Sequence, residues 1–384
     1  FNFCIIWFAF FIFIFHENSF FSGVAGQRVV DAGYQPASFG TLFFLGIYFF
    51  LIKRSFLSIF FICLAASFHP TYILHSGFLV LGFIGYTLIS KKYLEFFKIS
   101  IFYFILILPI TLFIILNFVI IEKDIALEGQ EILLERIPHH ANIHHWFTYK
   151  DLISLFVYLI SLFLIKNNFK FLVVFGIFGF CSIILSFIQF FLANNSLALA
   201  FPWRTSVFII PISSLIVISY FINKIKIDDK RLNFIALSLI LIVSLFFIYK
   251  SHYVKDLNSK FAIKLELTSD IKKKFSAIDN LLIPVTLEDI RMNAGLPIFV
   301  DWKHHPFRYD QIIEWRLRMD LAHNFYKSET FEEQFSNLNK IQEIDYISHI
   351  LIKKDDLKIE CKDLINHKIF ALVNTNECFN VVNN

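Results

Sequence analysis

Glycine is scarce in this chain, at 12 of 384 residues, and none of it forms a GxGxxG turn or a Walker-type loop. Without such a loop the usual backbone cradles for nucleotide phosphates are excluded. The five cysteines include no CxxC pair and no Cys/His zinc spacing, which removes the common structural zinc sites. No internal repeat is evident. Acidic and basic residues are almost missing from the long apolar runs. Ion-coupled transporters put paired charges near the bilayer midplane, so that class fits poorly. No basic segment precedes the first apolar run and no small-residue cleavage site follows it, so residues 1–15 do not read as a signal peptide. The chain opens on Phe1, and that run reads as the remnant of an incomplete N-terminus.

What is present is apolar. Phe alone accounts for 52 residues and the mean hydropathy is +0.64. A helix needs about 20 apolar residues to cross the hydrocarbon core. Runs at 1–15, 38–52, 55–68, 72–90, 99–121, 151–165, 170–192, 205–223 and 232–249 meet or approach that length. The expected fold is therefore a membrane all-α protein of about nine transmembrane helices over residues 1–250. A small C-terminal extracytoplasmic α/β domain over 251–384 should follow. In that tail, short apolar runs at 281–285, 297–300, 346–352 and 368–373 read as roughly four strands, with a helix over 309–326 between them.

Net charge is +4, and its placement carries more information than its size. Lys53, Arg54, Lys91, Lys92, Lys98, Lys166, Lys170, Lys224, Lys226, Lys230 and Arg231 fall in short connections on one side of the runs. The opposite loops hold fewer bases over more residues, which places the first set in the cytoplasm and the tail outside. These bases are topology signals, and a nucleic-acid partner is not expected. Outside the cell Cys361 and Cys378 are free to pair, and the sequence leaves open whether they do.

Polar groups gather at the outer ends of the runs. In Phe201-Pro202-Trp203-Arg204, Pro202 suits a first helical turn, Trp203 an interface, and Arg204 the outer N-terminus of a helix. A guanidinium at the positive end of a helix dipole matches phosphate in charge and geometry. The alternative is an arginine snorkelling to lipid headgroups. Gln27, Arg28, Asp31 and Gln35 cluster, with Glu17 nearby, in a stretch at 22–34 that reads as an interfacial helix. A carboxylate there can act as general base or hold a metal; an Arg28–Asp31 ion pair is the structural alternative. His69-Pro70-Thr71-Tyr72 offers an imidazole that either donates to phosphate or caps the next helix. Arg136, His139, His140, His144 and His145 form an external cluster whose regular spacing Pro138 disrupts, so substrate contact or a solvated loop outranks a metal site. In the tail, Arg291 and Asp301 sit in loops that can overhang the membrane, whereas Glu314, Trp315 and Arg318 suit the domain's own packing.

The elements HPTY at 69–72, RIPHH at 136–140, PWR at 202–204 and IRMNAGLPIFVDWKHHPF at 290–307, with EW at 314–315, resemble an uncharacterised family of polytopic bacterial membrane proteins. Its layout is similar to that of GT-C glycosyltransferases, which join many spans to external amphipathic loops and an extracytoplasmic α/β domain. The resemblance implies a polyprenyl-phosphate-linked sugar donor, a glycan or lipid acceptor, and work at the outer face of a bacterial inner membrane. It makes Asp31 or Glu17 the catalytic carboxylate and Arg204 the phosphate contact, with His69, His139 and His140 lining the cavity. Trp203, Arg28, Gln27, Arg136, Arg291 and Asp301 complete the substrate-binding set. A divalent metal remains open as cofactor, with no residue assigned to it. The expected function is a GT-C-like integral membrane glycosyltransferase; a non-catalytic scaffold or a lipid or polysaccharide transporter is the alternative.

Overall fold

The computed structural model describes residues 22–29, 36–192, 194–224, 267–272, 280–287, 289–365 and 367–379, with Ser238, Leu241 and Leu245. At His140 and His144 it describes the backbone alone. The chain divides into two compact units, residues 1–121 with 134–246 and residues 122–133 with 247–384.

The first unit is helical. Its long elements are α1 (Thr41–Leu51), α2 (Ser55–Phe68), α3 (Tyr72–Ile89) and α4 (Tyr93–Ile114). After α5 (Lys123–Arg136), which crosses the boundary between the units, come α6 (Tyr149–Leu164), α7 (Phe169–Leu192) and α8 (Ser206–Lys224). Four stretches are long and apolar enough to cross a membrane: Tyr72–Ile89, Tyr93–Val119, Phe169–Leu192 and Asn195–Phe221. Pro36–Leu51 and Ser55–Phe68 are apolar but shorter. Four candidate spans, not nine, thus stand among the described residues. The expected run at 1–15 lies outside them, and the run at 232–249 almost wholly so.

One helix is inverted relative to those of a water-soluble bundle. In α6, Ser154, Tyr158 and Ser161 are buried, while Leu152, Phe156 and Phe163 are all more than half exposed, at 54%, 63% and 66%. The inward groups are satisfied locally and across helices: the Tyr158 hydroxyl donates to the carbonyls of Phe175 and Gly176, and Ser161 donates to Ser213 at 3.1 Å. Along α4 only Ile99 and Ile107 are buried. An apolar surface this extensive suits lipid, not water. Close helix contact comes from small residues. A Cβ on Gly82 of α3 would lie 2.7 Å from the Val174 carbonyl oxygen of α7, so only glycine allows that approach. Stacked rings fill the remainder, with Phe43 and Phe208 4.5 Å apart and Phe50 and Phe83 3.9 Å apart.

α1 and α3 end alike. Lys53 and Lys91 take left-handed φ values of 65° and 57°. The following amides reach back to carbonyls in the last turn, Arg54 to Phe49 and Lys92 to Thr87, each at 2.8 Å. Glycine is the usual residue at such a position, because a Cβ there is strained.

The stretch expected to form a helix over 22–34 does not do so where it is described. It contains one short 3-10 turn, Val24–Gly26, with Ala25 at φ 56°. Tertiary contacts override the helical pattern. The Val24 amide donates to Ser206 Oγ at 2.9 Å, and Gly23 lies so close to Val207 that a Cβ would meet its backbone nitrogen at 2.7 Å.

In the second unit β1 (Leu281–Leu282), β2 (His349–Lys353) and β3 (Phe370–Asn374) form one sheet in that order. β1 pairs parallel to β2, with Leu281 opposite His349, and β2 pairs antiparallel to β3, with Leu351 opposite Leu372. A parallel pair needs a long crossover. Here it contains α9 (Asp289–Ala294), α10 (Tyr309–Lys327) and α11 (Phe331–Gln342). The run at 297–300, expected as a fourth strand, contributes a single parallel bridge between Ile298 and Leu281. Pro297 at its start has no amide hydrogen to extend the ladder. α12 (Thr375–Phe379) follows β3 directly, and its Cys378 is bonded to Cys361 with the Cα atoms 5.7 Å apart.

Candidate functional site

The polar centre of the first unit is built on the 3-10 turn Pro202–Thr205, which joins the short helix Asn195–Leu199 to α8. Phe201 redirects the chain from a left-handed conformation (φ 49°, ψ 53°), and Pro202 starts the turn. The Pro202 carbonyl accepts from Ser182 of α7 at 2.6 Å and from Thr205 at 3.2 Å. Thr205 Oγ1 also lies 2.8 Å from Nδ1 of the fully buried His75. A hydroxyl has one hydrogen, so when Pro202 receives it His75 must be the donor at Nδ1.

This scaffold fixes the Arg204 guanidinium. Nη2 donates to Gln27 Oε1 at 2.8 Å and Nη1 to Thr71 Oγ1 at 3.0 Å. Nη1 also lies 3.5 Å from His69 Nε2, and the Phe201 ring centroid is 5.3 Å from Cζ, within cation–π range. Every one of these partners is neutral. Burial, and after it the charge of Arg204, pushes His69 down to about 4, so its imidazole is uncharged at neutral pH. Among the described residues no carboxylate reaches the guanidinium. A largely enclosed cation without a counter-charge is costly, and an incoming anion relieves that cost. The planar fork then offers phosphate or carboxylate paired donors.

Beneath the turn lies an apolar shelf in which Trp203 and Trp146 rings stand 5.1 Å apart, joined by Ile137, Ala141, Ala198 and Phe201. Ile137 and Ala141 flank and close the short helix Pro138–Ala141, so the RIPHH stretch is anchored to the same shelf.

The structure thus brings together Arg204, Gln27 and His69 of the predicted residues, with Trp203 as support. Arg28 is half-buried beside Gln27 and engaged in contacts of its own, as are Arg136 at the end of α5 and the exposed His139. The His140 side chain, Asp31 and Glu17 lie outside the described residues. Thr71, Thr205, Ser182 and His75 complete the site without having been singled out in the sequence. The available signal was adjacency: Thr71 stands inside the HPTY element, and Thr205 follows Arg204.

Arg291 and Asp301 belong to the second unit, where Asp301 forms a closed structure of its own. Its carboxylate, 2% exposed as a residue, accepts from the Lys303 and His304 amides at 2.9 and 2.7 Å and contacts the His304 ring at 2.9 Å. Arg291 Nη1 lies 3.8 Å away. The Asp301 carbonyl accepts from the Trp315 indole at 3.0 Å. Arg318 is tied to Glu314 at 2.8 Å and Asp345 at 3.2 Å.

A divalent metal does not fit the donors around Arg204. A guanidinium, an amide, a hydroxyl and an imidazole repel or bind such an ion poorly without carboxylates. Among the described residues no three His, Cys, Asp or Glu side chains converge to hold one.

Residues 266–322 match the model of a domain of unknown function, DUF6798. That stretch contains Arg291, Asp301, Trp315 and Arg318 and none of the groups around Arg204. No curated protein matches the chain.

Proposed function

We propose that the chain is a GT-C-like integral membrane glycosyltransferase that takes a sugar from a polyprenyl-phosphate-linked donor and passes it to a glycan or lipid acceptor. It works at the outer face of a bacterial inner membrane, through about nine spans, with the tail after Tyr249 extracytoplasmic. The observation that carries this reading is the Arg204 guanidinium, held by Gln27, Thr71 and His69 and facing no described carboxylate. A phosphate on a lipid is an anion that reaches such a site from the bilayer, which suits a bundle with so much apolar surface. The Cys361–Cys378 bond supports an oxidising compartment for the second unit.

In the reaction, the bond between the anomeric carbon and the phosphate oxygen breaks and the bond to the acceptor oxygen forms. The phosphate departs with the electron pair against Arg204, and the acceptor's proton passes to Asp31 or Glu17. His69, neutral, lies against the guanidinium without adding a competing charge. The test is binding of a radiolabelled polyprenyl phosphate to the purified full chain, with polyprenol as control. It is paired with glycolipid profiling of a deletion strain complemented by wild type or Arg204→Ala. The proposal expects phosphate-dependent binding and an altered profile that only wild type restores. An unchanged profile on deletion points to a scaffold, and equal binding of polyprenol and its phosphate removes the role of Arg204.

A further inference from the structure

At the other end of α2 from His69, some 20 Å along the helix at 1.5 Å per residue, the first unit contains a second charged feature. A cleft of about 680 Å³ is lined by Lys53, Lys91, Lys92, Lys98 and Lys170, with Glu95 as the one acid. Glu95 is already engaged by the Ser55 hydroxyl at 2.7 Å. Lys53, Lys91 and Lys98 make no ion pair among the described residues and are exposed. Lys170 caps the end of α1 through the carbonyls of Phe50 and Leu51 and lies 4.3 Å from the Phe50 ring centroid. Buried Ile59 and Ile99 form part of the lining, and at its edge Phe56, Tyr93 and Leu94 are all more than half exposed.

We infer that this cleft binds the phosphate-bearing headgroup of an anionic membrane lipid, independently of the Arg204 site. Charge alone is explained by topology, because loop lysines orient a membrane protein wherever they fall in the loop. Topology does not require five of them to converge on one cleft. Nor does it require Lys53 and Lys91 to occupy left-handed helix-ending positions, where glycine is easier by about 1 kcal/mol. Both positions start from the ends of α1 and α3 and deliver their side chains to the same space. The apolar lip of Phe56, Tyr93 and Leu94 continues onto the exposed face of α4, where acyl chains would lie. A basic recess opening onto a lipid-facing surface selects an anionic headgroup over a soluble phosphate ester, which would gain nothing from that lip.

The test uses the full chain, purified in detergent and titrated by native mass spectrometry with phosphatidylglycerol, phosphatidylcholine and inorganic diphosphate as probes. Phosphatidylglycerol should bind saturably and at least tenfold more tightly than either control. Lys53→Gly with Lys91→Gly is the informative variant, because it relaxes both helix ends and leaves the fold at least as stable. It should melt no lower than wild type and yet bind the lipid about 25-fold more weakly, at roughly fivefold for each lysine lost near the surface. Lys166→Gln, which removes a nearby base outside the cleft, should change nothing. Equal affinity for phosphatidylcholine, or an undiminished affinity in the double glycine variant, would overturn the inference. Tighter binding of inorganic diphosphate than of the lipid would overturn the headgroup assignment. Retained polyprenyl-phosphate binding in the double variant keeps this site separate from Arg204.

Discussion

Arg204 and Asp301 are both charged side chains held by several hydrogen bonds, and they have opposite kinds of company. Around Asp301 the partners complement its charge: two amides, the His304 ring and, further out, Arg291. Around Arg204 they do not: an amide oxygen, a hydroxyl and a neutral imidazole orient the guanidinium and leave its charge in place. A charge matched by its own surroundings is finished as structure. One that is aimed but meets no carboxylate among the described residues is available to a ligand. The sequence treated both residues as candidate substrate contacts, and their surroundings separate them.

The comparison can be broken most directly by removing Arg204. Arg204→Ala should weaken donor binding by a hundredfold or more, about 3 kcal/mol, with no loss of melting temperature. A lower melting temperature with unchanged binding would make Arg204 structural after all. In the second unit the effects should appear in stability. Cys378→Ser opens a link between residues 17 apart in sequence, and a loop of that size is worth about 3 kcal/mol, seen as a lower midpoint in denaturant. Asp301→Ala should cost about 2 kcal/mol through lost charge-assisted hydrogen bonds. It is read by the fluorescence of Trp302 and Trp315, whose rings stand 6.0 Å apart beside it. Donor binding that falls as far in Asp301→Ala as in Arg204→Ala, with the fold intact, would erase the distinction.

The last effect concerns pH. His69 titrates near 4 in the folded chain against an ordinary value of 6.5. Between those values the unfolded chain holds a proton that the folded chain lacks, so stability is flat above pH 6.5 and falls as pH drops towards 4. The slope is at most about 1.4 kcal/mol per pH unit, and less to the extent that water reaches the ring. His69→Gln should flatten the acid limb of a thermal inactivation profile. An unchanged limb would show that the imbalance lies elsewhere.

The helices were legible in the sequence because long apolar runs leave little choice of structure, and α10 was legible from its periodicity. The helical turn that carries Arg204 was legible from Pro202 beside it. The true partners of Arg204 were not, since Gln27 and Thr71 reach it from 177 and 133 residues away. The turn at 24–26 was hidden for a related reason. Its geometry is set by Ser206 and Val207, which no local pattern contains. Pairing of Cys361 with Cys378 needed the register of β3 and α12. Composition also could not say which face of α6 looks inward, because lipid and core are both apolar and the usual contrast between them is missing.

That helix has a practical consequence. Its seat in the bundle rests on Ser154, Tyr158 and Ser161, and its outer face on Leu152, Phe156 and Phe163. Medium and seat are therefore separate choices: rewriting the outer three as glutamate or lysine changes the solvent the helix tolerates while every inward bond survives. Solubilising redesign can begin here, one face at a time.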